Sequence, residues 1–338
     1  MNKKPWTQTK HLALTLTLSV TLFLLWLLAG FALRLPVAHA ADLTVCLSGS
    51  CDYTSIQDAV DAATPGDIIK VAAGTYTGVN GYGGTSQAVY ISKTLTIRGG
   101  YTITNAFADP PDPVANPTTV DAQSLGRAMV ITGTTTIATV ENLRLTGGSA
   151  TAGGGIFNDG TLTLIHSTVS DNLARGTDGA DSSSLTGGGE GGFGGGIYNA
   201  GALTIIDSTL SGNQAIGGTG GNSVPAGYGG GGGGGAGMGG GIFNDTAAAI
   251  NVTNSTFSSN VARGGTGGVG TNGGGAGGGF GGGIFNREGI ATISNCTLSG
   301  NQANGGTGGD LTGGGGDGSG GAGGFGQGGE GARFGGAG

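Results

Sequence analysis

The sequence is poor in the residues that most often carry chemistry. Of 338 residues, three are cysteine and three histidine, and charged side chains make up 10%. Two of the histidines, His11 and His39, fall in the first forty residues, which leaves His166 alone in the rest of the chain. No zinc site or histidine-dependent triad can be built from a single imidazole. Three cysteines are too few for a disulfide framework to hold the fold. Basic residues are also scarce. Lys3, Lys4, Lys10 and Arg34 take four of the 13, leaving 9 against 20 acidic residues in the remainder. That excess of acid, with no cluster of Lys or Arg, excludes a nucleic-acid partner, because neutralising phosphates requires grouped cations. No apolar run near twenty residues follows Leu33, so no later segment reads as a membrane-spanning helix. Glycine is abundant at 82 residues, yet a strict Gly-X-Y register with frequent proline is lacking, which excludes collagen.

The first forty residues read as an export signal. A basic start precedes the uncharged, leucine-rich stretch Leu12–Leu33, and Ala38-His39-Ala40 places small residues where a signal peptidase needs them. Cleavage after Ala40 is expected. The apolar stretch is also long enough to stay as an uncleaved anchor, and both readings put residues 41–338 outside the cytoplasm. In that oxidising setting Cys46 and Cys51, five positions apart, are expected to form a local disulfide, leaving Cys296 without a partner.

The body of the chain is a tandem repeat. Four blocks open on Gly153-Gly154-Gly155-Ile156-Phe157-Asn158, Gly194-Gly195-Gly196-Ile197-Tyr198-Asn199, Gly239-Gly240-Gly241-Ile242-Phe243-Asn244 and Gly281-Gly282-Gly283-Ile284-Phe285-Asn286. Each continues through an alternating stretch such as Thr161-Leu162-Thr163-Leu164 and closes on Asn172, Asn213, Asn260 or Asn301. Period-two alternation marks half-buried strands. Strands this short bury their apolar side only when identical rungs stack, about 4.8 Å apart. The expected fold is therefore all-β, a single-stranded right-handed parallel β-helix (a solenoid). His166, Asp207, Asn254 and Asn295 share one corner column, which Asn142 extends upstream, and Asn172, Asn213, Asn260 and Asn301 share another. Asparagine tolerates left-handed backbone and bonds to neighbouring backbone groups, so both columns are expected to be structural. Cys296 replaces Ser167, Ser208 and Ser255 in an inward column, as a small buried thiol. The outward column Thr168, Thr209, Thr256 and Thr297 suits an exposed strand, and as a ladder it could also meet a regular surface.

Upstream, Ile56, Ala59, Val60 and Ala63 recur at helical spacing behind Thr54-Ser55, and this short helix is expected to cap one end of the solenoid. Pro110, Pro111, Pro113 and Pro117 mark a loop that leaves the stack. The glycine-rich inserts at 173–193, 214–238 and 261–280 are expected to be flexible loops extruded from one corner, since no strict three-residue period supports an ordered sheaf. The domain reading is thus a signal peptide at 1–40, a capped β-helix with glycine-rich inserts at 41–304, and a disordered glycine-rich tail at 305–338.

The Gly-Gly-x-Ile openings, together with Phe257-Ser258-Ser259-Asn260, resemble the repeats of chlamydial polymorphic outer-membrane proteins and other right-handed β-helix proteins of bacterial surfaces. The segment from Tyr53-Thr54-Ser55-Ile56-Gln57-Asp58-Ala59 through Pro65-Gly66-Asp67 to Ala73-Gly74-Thr75-Tyr76 is similar to the start of pectate-lyase-like β-helix proteins. The resemblance implies the fold and little about activity, because that fold hosts lyases, hydrolases, adhesins and passive surface proteins. Relatives of this kind often end in an anchor or transporter domain. This chain runs out in the glycine-rich Phe325–Gly338, which leaves release from the cell, or membership of a longer protein, as the two readings.

No residue pattern defines a catalytic, cofactor or metal site. Asp159, Asp171, Asp207 and Asp245 occupy different columns, no Lys or Arg is evidently surrounded by acids, and Asp310 and Asp317 are too isolated for a calcium-winding repeat. The expected function is that of a secreted or cell-surface structural or adhesive module, with extracellular polysaccharide or cell-surface components as partners, and a monomer. The alternative is a secreted polysaccharide lyase or glycoside hydrolase, whose site would lie between Gly78 and Arg144.

Overall fold

The computed structural model describes residues 40–183, 186–224 and 229–312, and the backbone of Arg333–Phe334. The leader reading lies outside the described residues apart from Ala40, and so does nearly all of the chain beyond Thr312, including Asp317.

Alternation in the repeats becomes parallel strands that stack rung on rung. One eight-stranded sheet runs from Asp42–Val45 to Ile290–Ser294 and contains the five-residue strands Thr161–Ile165, Ala202–Ile206 and Ala249–Thr253. A seven-stranded sheet, here the threonine sheet, runs from Gly74–Thr77 to Thr297–Ser299. The Ile-aromatic-Asn strands form the aromatic sheet, with Ile156–Asn158, Ile197–Asn199, Ile242–Asn244 and Ile284–Asn286 in direct register. Among the described residues every pairing between rungs is parallel, and the one antiparallel pair is the hairpin of Asn80–Tyr82 with Thr85–Ile91. The result is a parallel β-helix.

Register puts like on like. Leu162, Leu203 and Ile250 stack in one inward column, Leu164, Ile205 and Val252 in the next, and Val169, Leu210 and Phe257 in a third. All nine are at most 2% exposed. Each such side chain contributes about 1.5–3 kcal/mol by leaving water, which is how strands of three to five residues can be stable at all.

The expected cap is present as helix α1, Ile56–Ala62. Ser55 serves as N-cap, its hydroxyl accepting from the Asp58 N–H, and Ile56, Ala59 and Val60 face the core. Gln57 is also buried, and its amide works as a substitute strand. Its Oε1 accepts from the Tyr90 N–H at 2.6 Å and its Nε2 donates to the Tyr90 carbonyl at 3.3 Å, so the end strand finds a partner in a side chain.

The glycine inserts depart from the expected loops. Each leaves the shaft as an extended arm and returns as a second arm packed against the first. The N–H groups of Gly176, Gly179 and Ser182 donate to the carbonyls of Ile216, Thr219 and Asn222 in the next rung. Gly217, Gly220 and Ser223 repeat this toward Arg263, Thr266 and Val269, and Gly264, Gly267 and Gly270 toward Asn304, Thr307 and Asp310. A donor every third residue is the signature of polyproline II-type backbone, which has no internal bonds and must find partners outside itself. The return arms do the same, with Gly231, Gly234 and Gly237 donating to Asn272, Gly275 and Gly278. The two layers are tied by bonds such as Gly218 N–H to the Glu190 carbonyl and Gly235 N–H to the Gly218 carbonyl. The inserts thus build a two-layered wing. Residues 305–312, expected to open a disordered tail, are its fourth outgoing arm.

Candidate functional site

Three surfaces concentrate polar or aromatic side chains. The first is a charged patch on the outer side of the eight-stranded sheet. Register aligns Lys70 with Arg98 and Arg98 with Glu141, one rung apart each time. Lys70 Nζ lies 2.9 Å from Asp42 Oδ2 and 3.0 Å from Asp109 Oδ2, while the Arg98 guanidinium pairs with Glu141 and lies 3.8 Å from Asp109. The Tyr101 hydroxyl donates to Asp109, and Lys70 Nζ sits 5.4 Å from the centre of the Tyr101 ring. Hydrogen bonds from the Tyr101 hydroxyl and then Lys70 hold the Asp109 carboxyl below the usual carboxylate range. The bond to Asp42 raises the Lys70 ammonium, and that to Glu141 raises Arg98. Asp109 belongs to the proline-rich loop, so the patch clamps that loop to the sheet.

Two cations ringed by three carboxylates were not evident in the sequence, and here the structure corrects that reading. Asp42, Lys70, Arg98, Asp109 and Glu141 are far apart along the chain and meet only because the solenoid stacks one rung on another. Each of these charges is engaged by an opposite one, so the patch presents no free base. Among the described residues, no group of three or more His, Cys, Asp or Glu side chains is placed to hold a metal ion.

The second surface is the outer face of the threonine sheet. Thr168, Thr209, Thr256 and Thr297 align directly, with Ser170, Ser211, Ser258 and Ser299 two residues on, of which Ser170 is buried and the other three reach the surface. The third is an aromatic stack. Phe157, Tyr198, Phe243 and Phe285 lie face to face with ring centres 5.2, 5.2 and 5.6 Å apart, and Arg127 covers the Phe157 ring. Phe193, at the root of the wing, meets Phe243 edge-on, so the stack joins wing to shaft. The Tyr198 hydroxyl donates to Asp245 and burial raises its ionisation. A cavity of about 260 Å³ near α1 is lined by Thr54, Gln57, Thr75, Tyr76 and Asn80 among others; burial pushes Tyr76 up to about 12.

Each residue singled out in the sequence can now be placed. Cys46 and Cys51 are joined by a disulfide of 2.01 Å. Asn142, Asn254 and Asn295 adopt left-handed backbone with φ of 58°, 52° and 52°, as do His166 and Asp207 in the same corner. The other column works differently. Asn172, Asn213, Asn260 and Asn301 are buried, and the left-handed residue is the one before each: Asp171, Gly212, Ser259 or Gly300. Their side chains form a ladder. Nδ2 of each donates to Oδ1 of the next at 2.9–3.0 Å, and the same oxygen accepts the backbone N–H of the rung before. A second buried ladder, overlooked in the sequence, runs through Asn158, Asn199, Asn244 and Asn286 with bonds of 2.6–2.7 Å. Its signal was available: an identical Asn two residues after an inward Ile must itself point inward. Cys296 is half-buried, its thiol donating to the Ser294 carbonyl at 3.1 Å.

A scan of the chain against protein-family models finds no match, and a search of curated proteins finds none either. The structure defines the class, a repetitive parallel β-helix scaffold. No helix among the described residues is long and apolar enough to cross a membrane.

Proposed function

We propose that this chain is an exported surface protein that acts as a rigid, non-catalytic scaffold and binds a repetitive extracellular polysaccharide along its threonine sheet. The observation that carries the reading is the pair of hydroxyl columns, Thr168 to Thr297 over four rungs beside Ser211 to Ser299 over three, held in register. An uncharged row of hydroxyls repeating about every 4.8 Å suits a polymer that repeats its own hydroxyls, and no mobile element need be ordered on binding. Co-sedimentation with a panel of insoluble neutral and acidic polysaccharides tests this. The double variant Thr209→Lys, Thr256→Lys should lose binding, while Ile206→Lys on the neighbouring sheet should keep it. Equal binding by both variants, or none by the unaltered protein, would contradict the proposal.

A second reading, polysaccharide cleavage, draws on the charged patch, where three carboxylates surround Lys70 and Arg98. It requires one of those pairs to open for substrate. Release of unsaturated or reducing ends from any polysaccharide in the panel, lost in Asp109→Asn, would favour it.

A further inference from the structure

The columns of the threonine sheet continue past the four repeats toward α1. Register carries the threonine column from Thr168 through Arg144 and Thr119 to Thr75. The serine column passes the buried Ser170, then Thr146 and Asp121, and reaches Thr77. Arg144 is held by Asp171 at 3.1 Å. Thr75 and Thr77 stand on Gly74–Thr77, the end strand of the sheet, three rung spacings or about 14 Å from Thr168. There the columns run out into the cavity of about 260 Å³, which this strand shares with residues 54–57 and the turn at 78–80.

The lining of that cavity has a definite chemistry. Buried Val89 and Val120 and the Tyr76 ring supply apolar surface. The Tyr76 hydroxyl is tied to the Ala72 carbonyl at 3.0 Å and the Gln57 amide to the backbone of Tyr90, so both are fixed in place. The hydroxyls of Thr54, Thr75 and Thr77 and the side-chain amide of Asn80, by contrast, have no hydrogen-bond partner among the described residues. None of the described residues that line the cavity is charged. Building on the sheet's polysaccharide role, on which this rests, we propose that the cavity receives the terminal sugar of the bound chain, and that the chain is neutral. A pyranose ring has an apolar C–H face and a rim of hydroxyls. The first matches the valines and the tyrosine ring, the second the four unpartnered polar groups. A uronate or sulfated sugar would find no counter-ion among them. The volume takes one ring rather than a run of rings, and α1 closes the path beyond. A chain lying along the columns therefore enters by its end.

The test is hydrogen exchange and calorimetry on the full exported chain with soluble probes: linear oligomers of glucose, galactose, mannose and xylose, cyclic oligosaccharides, and linear oligouronates. At least one linear neutral oligomer should bind and slow exchange at residues 54–57 and 75–80. Its cyclic counterpart, which has no end, and the oligouronates should not. Thr77→Phe fills the cavity from an exposed strand position and should abolish that binding. Asn80→Ala removes one hydrogen-bonding group and should weaken it about tenfold; it also stands in for Thr77→Phe should that variant fail to fold by circular dichroism. Ile137→Lys, exposed on the side of the shaft, should bind as the unaltered protein does. No protection of these residues by any linear neutral oligomer overturns the proposal. Equal binding of cyclic or uronate probes does so too, as does binding that survives both Thr77→Phe and Asn80→Ala. Loss confined to Thr209→Lys with Thr256→Lys places the ligand on the sheet alone and overturns the cavity. Oligomers bound in the cavity, with no insoluble polymer sedimented, support the cavity and remove the role of the sheet.

Discussion

Shaft and wing share one chain and one rung spacing, yet they cohere by opposite means. In the shaft, side chains do the packing: Leu, Ile, Val and Phe fill the centre, and buried asparagines close the corners. In the wing, cohesion depends on having no side chain. A Cβ on Gly217 would lie 2.0 Å from the Gly235 carbonyl oxygen, and one on Gly218 2.0 Å from that of Thr177. Two glycines in each tripeptide face neighbouring backbone, and the third position faces solvent, where Asp178, Thr219 and Thr266 or Asp181, Asn222 and Val269 are found. The first arm supports this account. Thr177 and Ala180 occupy positions that are glycine in the later arms (Gly218 and Gly221, then Gly265 and Gly268), and no arm lies on that side of the first rung. Ordering a residue's backbone costs about 1–2 kcal/mol, against a net gain of about 0.5–1.5 kcal/mol per hydrogen bond and about 0.5–1 kcal/mol per close Cα–H···O contact. An arm is therefore stable only when several neighbours surround it, which is why the wing needs the shaft to bring its arms together.

The comparison can be broken at graded cost. Phe257→Ala, at a fully buried shaft position, should lower global stability by about 3–5 kcal/mol, measured by chemical denaturation. Asn213→Ala takes the acceptor from Asn172 and the donor from the Val169 carbonyl. A loss of about 2–3 kcal/mol is expected on the same measurement, since orphaned buried polar groups are costly. In the wing, Gly220→Ala places a methyl 1.9 Å from the Gly232 oxygen. It should loosen that arm by about 1–3 kcal/mol, seen as faster local hydrogen exchange with the shaft's denaturation midpoint unchanged. Asp109→Asn acts on an ion pair whose carboxylate is half exposed and whose Lys70 keeps Asp42 as a partner, and should cost about 1 kcal/mol. The Asp109 carboxyl is held below its ordinary value, so what it contributes is present above about pH 4 and fades as pH falls through the lower folded value. Proteolysis of the 102–117 loop should rise in acid before the shaft unfolds. Gly233→Ala is the control, its methyl meeting nothing nearer than 3.7 Å, and a change within about 0.5 kcal/mol is expected.

The shaft was legible in the sequence because its information is local. Leu162 and Leu164 alternate with Thr161 and Thr163, and the same parity recurs at 203, 250 and 291. Helix α1 was legible for the same reason, from Ile56, Ala59, Val60 and Ala63. The charged patch was not, because Lys70, Arg98 and Glu141 become neighbours only through rung register, which no local pattern encodes. The order of the wing is hidden in the sequence for a different reason. Gly217-Gly218-Thr219-Gly220-Gly221-Asn222 and Gly264-Gly265-Thr266-Gly267-Gly268-Val269 do carry a period of three, but the return arms dilute it with runs of glycine in every phase. High glycine content reads as freedom in the sequence, whereas here it permits close approach.

Native-state hydrogen exchange across the inserts tests that distinction most directly. If the wing is the two-layered sheaf described here, the amides of Gly217, Gly218, Gly220, Gly221, Gly231, Gly232, Gly234, Gly235 and Gly237, all of which donate to backbone carbonyls, should exchange far more slowly than an unstructured peptide, at least two of every three residues being protected along each arm. Exchange at unstructured rates throughout 214–238, beside a protected shaft, would contradict it.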